Sequence, residues 1–270
     1  MTFLYFYIFI FLLGLAVGSF LNCIIYRLEK EESPLKGRSY CPKCKHQLSW
    51  QDLIPVFSFL ILRGRCRYCQ KSISWQYPLV EISTALLFIL IFFYSQANIL
   101  LSTFYFLLSS FLIIIFVYDL KHYIIPDRIV FPAIVLAFLY QVFKIWDFEF
   151  ILDFGFRVLD LKPLLSAAVA AILVSGFFLS IFLISRGKAM GFGDVKLTFF
   201  MGLFLGFPDI IVALFLAFLL GAIIGVGLII AGRKKLKSEV PFGPFLVAGT
   251  FAALFFGSQI VSWYLGVLII

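Results

Sequence analysis

The sequence predicts an all-α polytopic membrane protein of about eight transmembrane helices carrying a small cytoplasmic loop domain, and three observations lead there. Hydrophobic residues fill 63% of the 270 positions against 13% charged, and the mean hydropathy is +1.08. That is more apolar side chain than a soluble domain of this length can bury. The apolar residues come in runs of about 20, the length at which a helix crosses a bilayer. The basic residues gather in alternate loops between those runs, which is the pattern that fixes orientation.

The predicted spans are 3–26, 78–97, 98–118, 128–145, 163–184, 195–208, 209–231 and 242–268. The first, in TFLYFYIFIFLLGLAVGSFLNCIIY, lacks a basic start and runs too long for a removable signal peptide, so it is read as a true span. Only SQAN separates the second from the third. The sixth is short, and with the seventh it is expected to form a broken or tilted pair turning at Pro208-Asp209.

Orientation follows from the cations. The loops 27–77, 119–128, 185–196 and 232–240 hold nineteen Lys and Arg, the segment 144–162 only three, so those four loops are placed in the cytoplasm and both termini outside. The net charge of +8 is therefore assigned to orientation and not to nucleic acid, and Arg233, Lys234, Lys235 and Lys237 to attraction toward anionic membrane lipids. KIWDFEFILDFGFRVLDLK mixes acids with aromatics at roughly helical spacing, as expected of a helix lying in the outer interface.

Four of the five cysteines form CPKC and CRYC inside the largest basic loop. CPKCKHQLSW and CRYCQKSISW repeat with a period of 25, sharing C-x2-C followed by an aliphatic residue, Ser and Trp. Paired knuckles of this kind read as a closed structural zinc site on Cys41, Cys44, Cys66 and Cys69, with no coordination position left for water. Two redox pairs are the alternative. Cys23 is read as packing within the first span, and His46 as superfluous where four thiolates suffice. LIPVFSFLIL, between the knuckles, is apolar enough to dip into the membrane interface.

Three acids stand at or within apolar segments, where a charge is expensive and usually functional. Asp119 ends the third span in IIIFVYDLKHYIIPD and Asp194 opens the sixth in GFGDVKL, both at the cytoplasmic side and hence at one depth. Gly191 and Gly193 allow positive φ or a close backbone approach beside Asp194, and a helix N-terminus there favours its ionised form. Two carboxylates brought together share a proton, the arrangement with which an aspartic peptidase activates water and protonates the scissile carbonyl oxygen. Asp127 is placed to N-cap the fourth span. Lys196 either stabilises the charge of Asp194 or meets lipid phosphate. Glu81 either lines the same cavity or pairs with a loop cation, an accessory role in both cases. His122, next to the DLK segment, tunes Asp119 or simply sits at the interface.

GFGDVK, YDLKHYIIPD, the cysteine loop, GLAVGSFLNCIIYRL and VPFGPFLVAG, in this order over nearly the whole chain, closely resemble the prepilin peptidases, or type IV leader peptidases. The resemblance implies a first transmembrane helix over 1–26, a tetracysteine loop over 27–77 and a transmembrane aspartic peptidase core over 78–270. It implies catalytic Asp119 and Asp194; the helix N-terminus that favours ionised Asp194 makes Asp194 the group expected to activate water while Asp119 holds the proton. The implied substrates are type IV prepilin or pseudopilin precursors, cut at the cytoplasmic face of the bacterial inner membrane. Many family members also N-methylate the new terminus with S-adenosylmethionine, which here rests on the resemblance alone. A proton-coupled transporter is the rival, but it predicts acids near mid-membrane and two related halves. An inactive relative acting as an assembly scaffold is the third reading.

Overall fold

The computed structural model describes residues 2–33, 37–145, 161–232 and 240–268. Within them the chain is helical, with two isolated bridges and no strand. The helices are α1 (Thr2–Glu29), α2 (Phe57–Ile61), α3 (Gln76–Tyr94), α4 (Ile99–His122), α5 (Asp127–Ile145), α6 (Lys162–Ser185), α7 (Phe192–Leu205), α8 (Asp209–Ile230) and α9 (Gly243–Leu268). Seven of them are long and apolar enough to cross a membrane. The remaining expected span, the sixth, is α7, whose 14 residues reach about 21 Å, short of a hydrocarbon core of about 30 Å. The expected turn between the sixth and seventh spans is present: α7 stops at Leu205, and α8 starts at Asp209 after Pro208. The outer amphipathic segment and the Arg233–Lys237 cluster lie outside the described residues.

The chain divides into two compact units, Met1–Ile114 and Ile115–Ile270. In the first, α1 and α3 run antiparallel in close register. A Cβ at Gly14 would stand 2.5 Å from Cα of Ala85, and one at Gly18 2.7 Å from Cα of Glu81. One turn on, the Asn22 side-chain amide donates to the Tyr77 carbonyl at 3.1 Å and its Oδ1 accepts from Gln76 at 3.1 Å. Small residues spaced by four let two backbones meet, the packing a membrane helix pair uses in place of a hydrophobic drive.

In the second unit α7 touches α5, α6, α8 and α9. Leu197, Thr198, Phe200 and Met201 on successive faces are all fully buried, as a helix apolar all round requires. Gly202 packs directly on the Ala170–Ala171 backbone of α6, and Gly249 of α9 on the Ala213 carbonyl of α8. Because α7 is short, its last carbonyls end among apolar neighbours, where an unpaired carbonyl is costly. Buried Gln141 of α5 answers them, its amide donating to Leu203 and Phe204 at 2.6 and 3.3 Å.

Candidate active site and cysteine module

Asp119 sits in the last turn of α4 and is 4% exposed. The N–H of Gly243, the first residue of α9, donates to its carboxylate. That N–H is one of the orphan donors of a helix N-terminus, and an anion there is favoured by the dipole. Pro244 follows, as suits a first helical turn, where its missing N–H costs nothing. Asp194 lies in the first turn of α7, 9% exposed, and takes the N–H of Gly191, the N-cap residue of its own helix. Each acid thus caps a helix start, and the two are close enough for Asp119 to act electrostatically on Asp194.

Ile125 joins the two halves. It is 6% exposed and stands on the short connection between α4 and α5. A Cβ at Gly193 would meet its Cβ at 2.9 Å, and one at Gly243 would meet its Cδ1 at 3.4 Å. The segments carrying Asp119, Asp194 and Gly243 therefore converge on one side chain, although 75 positions separate the acids.

The expected glycine role is partly corrected. Neither Gly191, at φ −77°, nor Gly193 has a positive φ. Gly193 is small because Ile125 presses on it. Gly191 is exposed and open apart from the Asp194 carboxylate.

Lys196 pairs with an acid other than Asp194. Its ammonium donates to Asp127 at 2.6 Å and lies over the rings of Phe131 and Phe192. Asp127 accordingly is not an N-cap: α5 begins with it, and the Pro126 carbonyl accepts from Ile129 and Val130. The pair ties the start of α5 to the start of α7. Glu81 belongs to the first unit, where it is 6% exposed and accepts from the Val56 N–H at 2.7 Å, a backbone partner; no loop cation pairs with it among the described residues. His122 packs on Tyr118 and His46 on Tyr68, with centroids 4.5 and 3.7 Å apart.

The 25-residue repeat reappears bond for bond. Tyr40 bridges Gln47 as Arg65 bridges Ser72. The Cys41 N–H donates to His46 and the Cys66 N–H to Lys71, both at 2.9 Å, and the two cysteine carbonyls accept from Lys45 and Gln70, also at 2.9 Å. Lys45 and Gln70 both hold positive φ, 61° and 56°. The four Sγ atoms lie within 4.8 Å of one another, Cys41 and Cys69 at 3.9 Å. Zn–S bonds of about 2.3 Å in a tetrahedron put sulfurs about 3.8 Å apart, so the four residues fit that ion. Burial pushes the Cys41 thiol up, but the N–H groups of Cys44 and Lys43 and the neighbouring thiols outweigh it and bring it down to about 7. Cys23 lies apart on α1.

Reasoning from sequence missed Asp52, which clasps the two knuckles. It accepts from Ser49 of the first and from Arg67 and Tyr68 of the second, at 2.8, 2.7 and 3.2 Å. It also missed Ile125, Gln141 and the part played by Gly243. A Gly-Pro pair opening a long apolar run was the available signal for the last.

Residues 12–95 match the model of the bacterial peptidase A24 N-terminal domain, and residues 106–226 that of the type IV leader peptidase family. Relatives named prepilin leader peptidase/N-methyltransferase span nearly the same length. The protein of Aeromonas salmonicida strain A449 is 32% identical over 96% of this chain and 94% of its own. That of Aeromonas hydrophila is 33% identical over 95% and 92%, and that of Bacillus subtilis strain 168 is 31% identical over 95% and 96%. No solved structure matches. With the helices, the paired acids and the cysteine module in the places that these matches span, the chain belongs to the type IV leader peptidase family.

Proposed function

We propose that the protein is a membrane aspartic endopeptidase in which Asp119 and Asp194 hydrolyse the leader junction of type IV prepilin-like precursors. The observation that carries this reading is the convergence of both carboxylates, each on a helix N-terminus, around Ile125. Two buried acids that act on each other electrostatically titrate as a pair, in which one carboxyl keeps its proton while the other is ionised. The unprotonated carboxylate takes a proton from water as its oxygen attacks the scissile carbonyl carbon, and the protonated one gives its proton to the carbonyl oxygen. Collapse of the tetrahedral intermediate breaks the C–N bond, with the proton taken from water passing to the leaving amine. The open backbone at Gly191 leaves room for an extended substrate strand beside Asp194.

The excess of cations in four loops supports a multi-pass orientation with the acids at the cytoplasmic face of the bacterial inner membrane and both termini outside. Cys41, Cys44, Cys66 and Cys69 would hold a structural zinc ion that orders the module. N-methylation of the freed terminus carries over from the relatives' name. S-adenosylmethionine would supply the methyl group, and no step is drawn through it because the described residues contain no strand–turn–helix cradle of the usual kind.

The test is to incubate membranes bearing the wild type, Asp119→Asn or Asp194→Asn with a prepilin-like precursor and to sequence the product's N-terminus. Each substitution is expected to abolish cleavage. Cleavage at the wild-type rate by either variant would overturn the assignment.

A further inference from the structure

We infer that the linker between the two cysteine knuckles is a membrane anchor, bedded in the headgroup–acyl boundary of an anionic phospholipid leaflet. The linker folds as a short 3-10 turn, Trp50–Leu53, followed by α2, and it turns its apolar side chains outward. Trp50, Phe57, Leu60 and Ile61 are 73, 56, 61 and 75% exposed, while Phe59 alone is buried, packed on Trp75 at 5.0 Å. Large apolar side chains left exposed together on one short segment mark an interaction site.

Depth identifies what covers it. The Val56 N–H donates to Glu81, which lies five residues into α3 and so about 7.5 Å along the helix from Gln76. Because α3 is apolar enough to cross the bilayer, the linker turn reaches below the level at which that helix begins. Val56 holds φ +61° and ψ −50° there, a conformation that β-branched residues avoid. The buried carboxylate of Glu81, also engaged by Ser19, fixes a strained turn at membrane depth.

Charge specifies the lipid. From residue 37 to residue 75 the chain has seven Lys and Arg and a single acid, Asp52, which Arg67 occupies. Arg63 and Arg65 follow α2 directly and are exposed. An apolar face bordered by cations is the signature of an element lying in an anionic interface.

The full chain in lipid nanodiscs tests this. With Trp75→Phe, Trp146→Phe and Trp263→Phe, only Trp50 of the four tryptophans remains, and it belongs to the linker. Phosphatidylglycerol brominated near the glycerol end of its acyl chains is expected to quench its emission about twofold relative to unbrominated lipid. Phe57→Ser/Leu60→Ser/Ile61→Ser in the same background is expected to recover most of that emission. Brominated phosphatidylcholine is expected to quench less than phosphatidylglycerol, with the difference lost in Arg63→Gln/Arg65→Gln. Equal emission in brominated and plain discs, or quenching that the triple substitution leaves unchanged, would overturn the anchor. Equal quenching by the two headgroups would overturn its preference for anionic lipid. The first comparison uses the intact linker, so it decides even where the triple variant fails to fold.

Discussion

The carboxylate of Asp119 rests on Gly243 so closely that a Cβ at that position would stand 2.6 Å from Oδ2 and 3.2 Å from Cγ. Gly243→Ala must therefore push the acid aside or shift the start of α9. A displacement approaching 1 Å costs a reaction that depends on two placed carboxylates about a hundredfold. The expected result is a loss of precursor cleavage of about that size, with helix content by circular dichroism unchanged. Cleavage close to the wild-type rate would show that the contact does not position Asp119.

The α1–α3 register gives a stability prediction with a built-in control. Gly18→Ala sets a methyl group against the Cα of Glu81, a backbone atom that cannot rotate away. The helices must separate, at about 1–3 kcal/mol for overpacking. Gly225→Ala, with nothing within 4 Å of the added carbon, is expected to be neutral or to gain up to about 1 kcal/mol from helix propensity. Thermal unfolding in detergent compares the two. Equal melting temperatures would mean that the close approach is not tight in solution.

The helices were legible because apolar length is a strong signal: all eight expected spans have a helix that starts within three residues of the expected position, and the Ser95–Asn98 turn is where SQAN put it. That Asp119 and Asp194 come near each other was legible because two acids at the same end of apolar runs share one depth and are too costly to be incidental. The cysteine repeat carried its own geometry, since equal spacing produced equal hydrogen bonds. What sequence could not supply was pairing across the fold. Lys196 stands two residues from Asp194 yet bonds Asp127, because on a helix the i and i+2 positions do not face each other. Gly193 read as a place for positive φ or a close backbone approach beside Asp194, because nothing local announces the side chain of Ile125. Gln141 looked like any polar residue in a span until the short reach of α7 gave it two carbonyls to satisfy.

Asp52 predicts a pH dependence of the cysteine module. Burial would raise its carboxyl, but the hydroxyl of Ser49, the guanidinium of Arg67 and the N–H of Ser49 outweigh it and hold the carboxyl below the ordinary carboxylate range. A group depressed in the folded state adds stability at every pH above its unfolded value, about 3.9, and loses that contribution as the pH falls through the folded value. The wild type is therefore expected to resist proteolysis within residues 37–75 better than Asp52→Asn at neutral pH, with the gap closing below about pH 4. Release of a metal in acid affects both proteins alike, so the difference between them is the observable. A gap that stays constant down to low pH would rule out the ionised carboxylate as the clasp.

Metal removal separates the module from the dyad. The four thiols offer a closed set with no free coordination position, so zinc would order residues 37–75 and take no part in hydrolysis. Purified protein is expected to carry a single zinc ion. Chelation, or Cys41→Ser together with Cys66→Ser, is expected to release it and to raise amide exchange across both knuckles. The proposed dyad draws its geometry from the last turn of α4, α7, α9 and Ile125 of the second unit, so cleavage, read by sequencing the product's N-terminus, is expected to fall far less than the protection of the knuckle amides. Cleavage lost in step with zinc would mean that the hydrolytic site depends on the module. Knuckle amides that stay protected in metal-free protein would mean that the hydrogen-bonded repeat and the Asp52 clasp suffice without an ion.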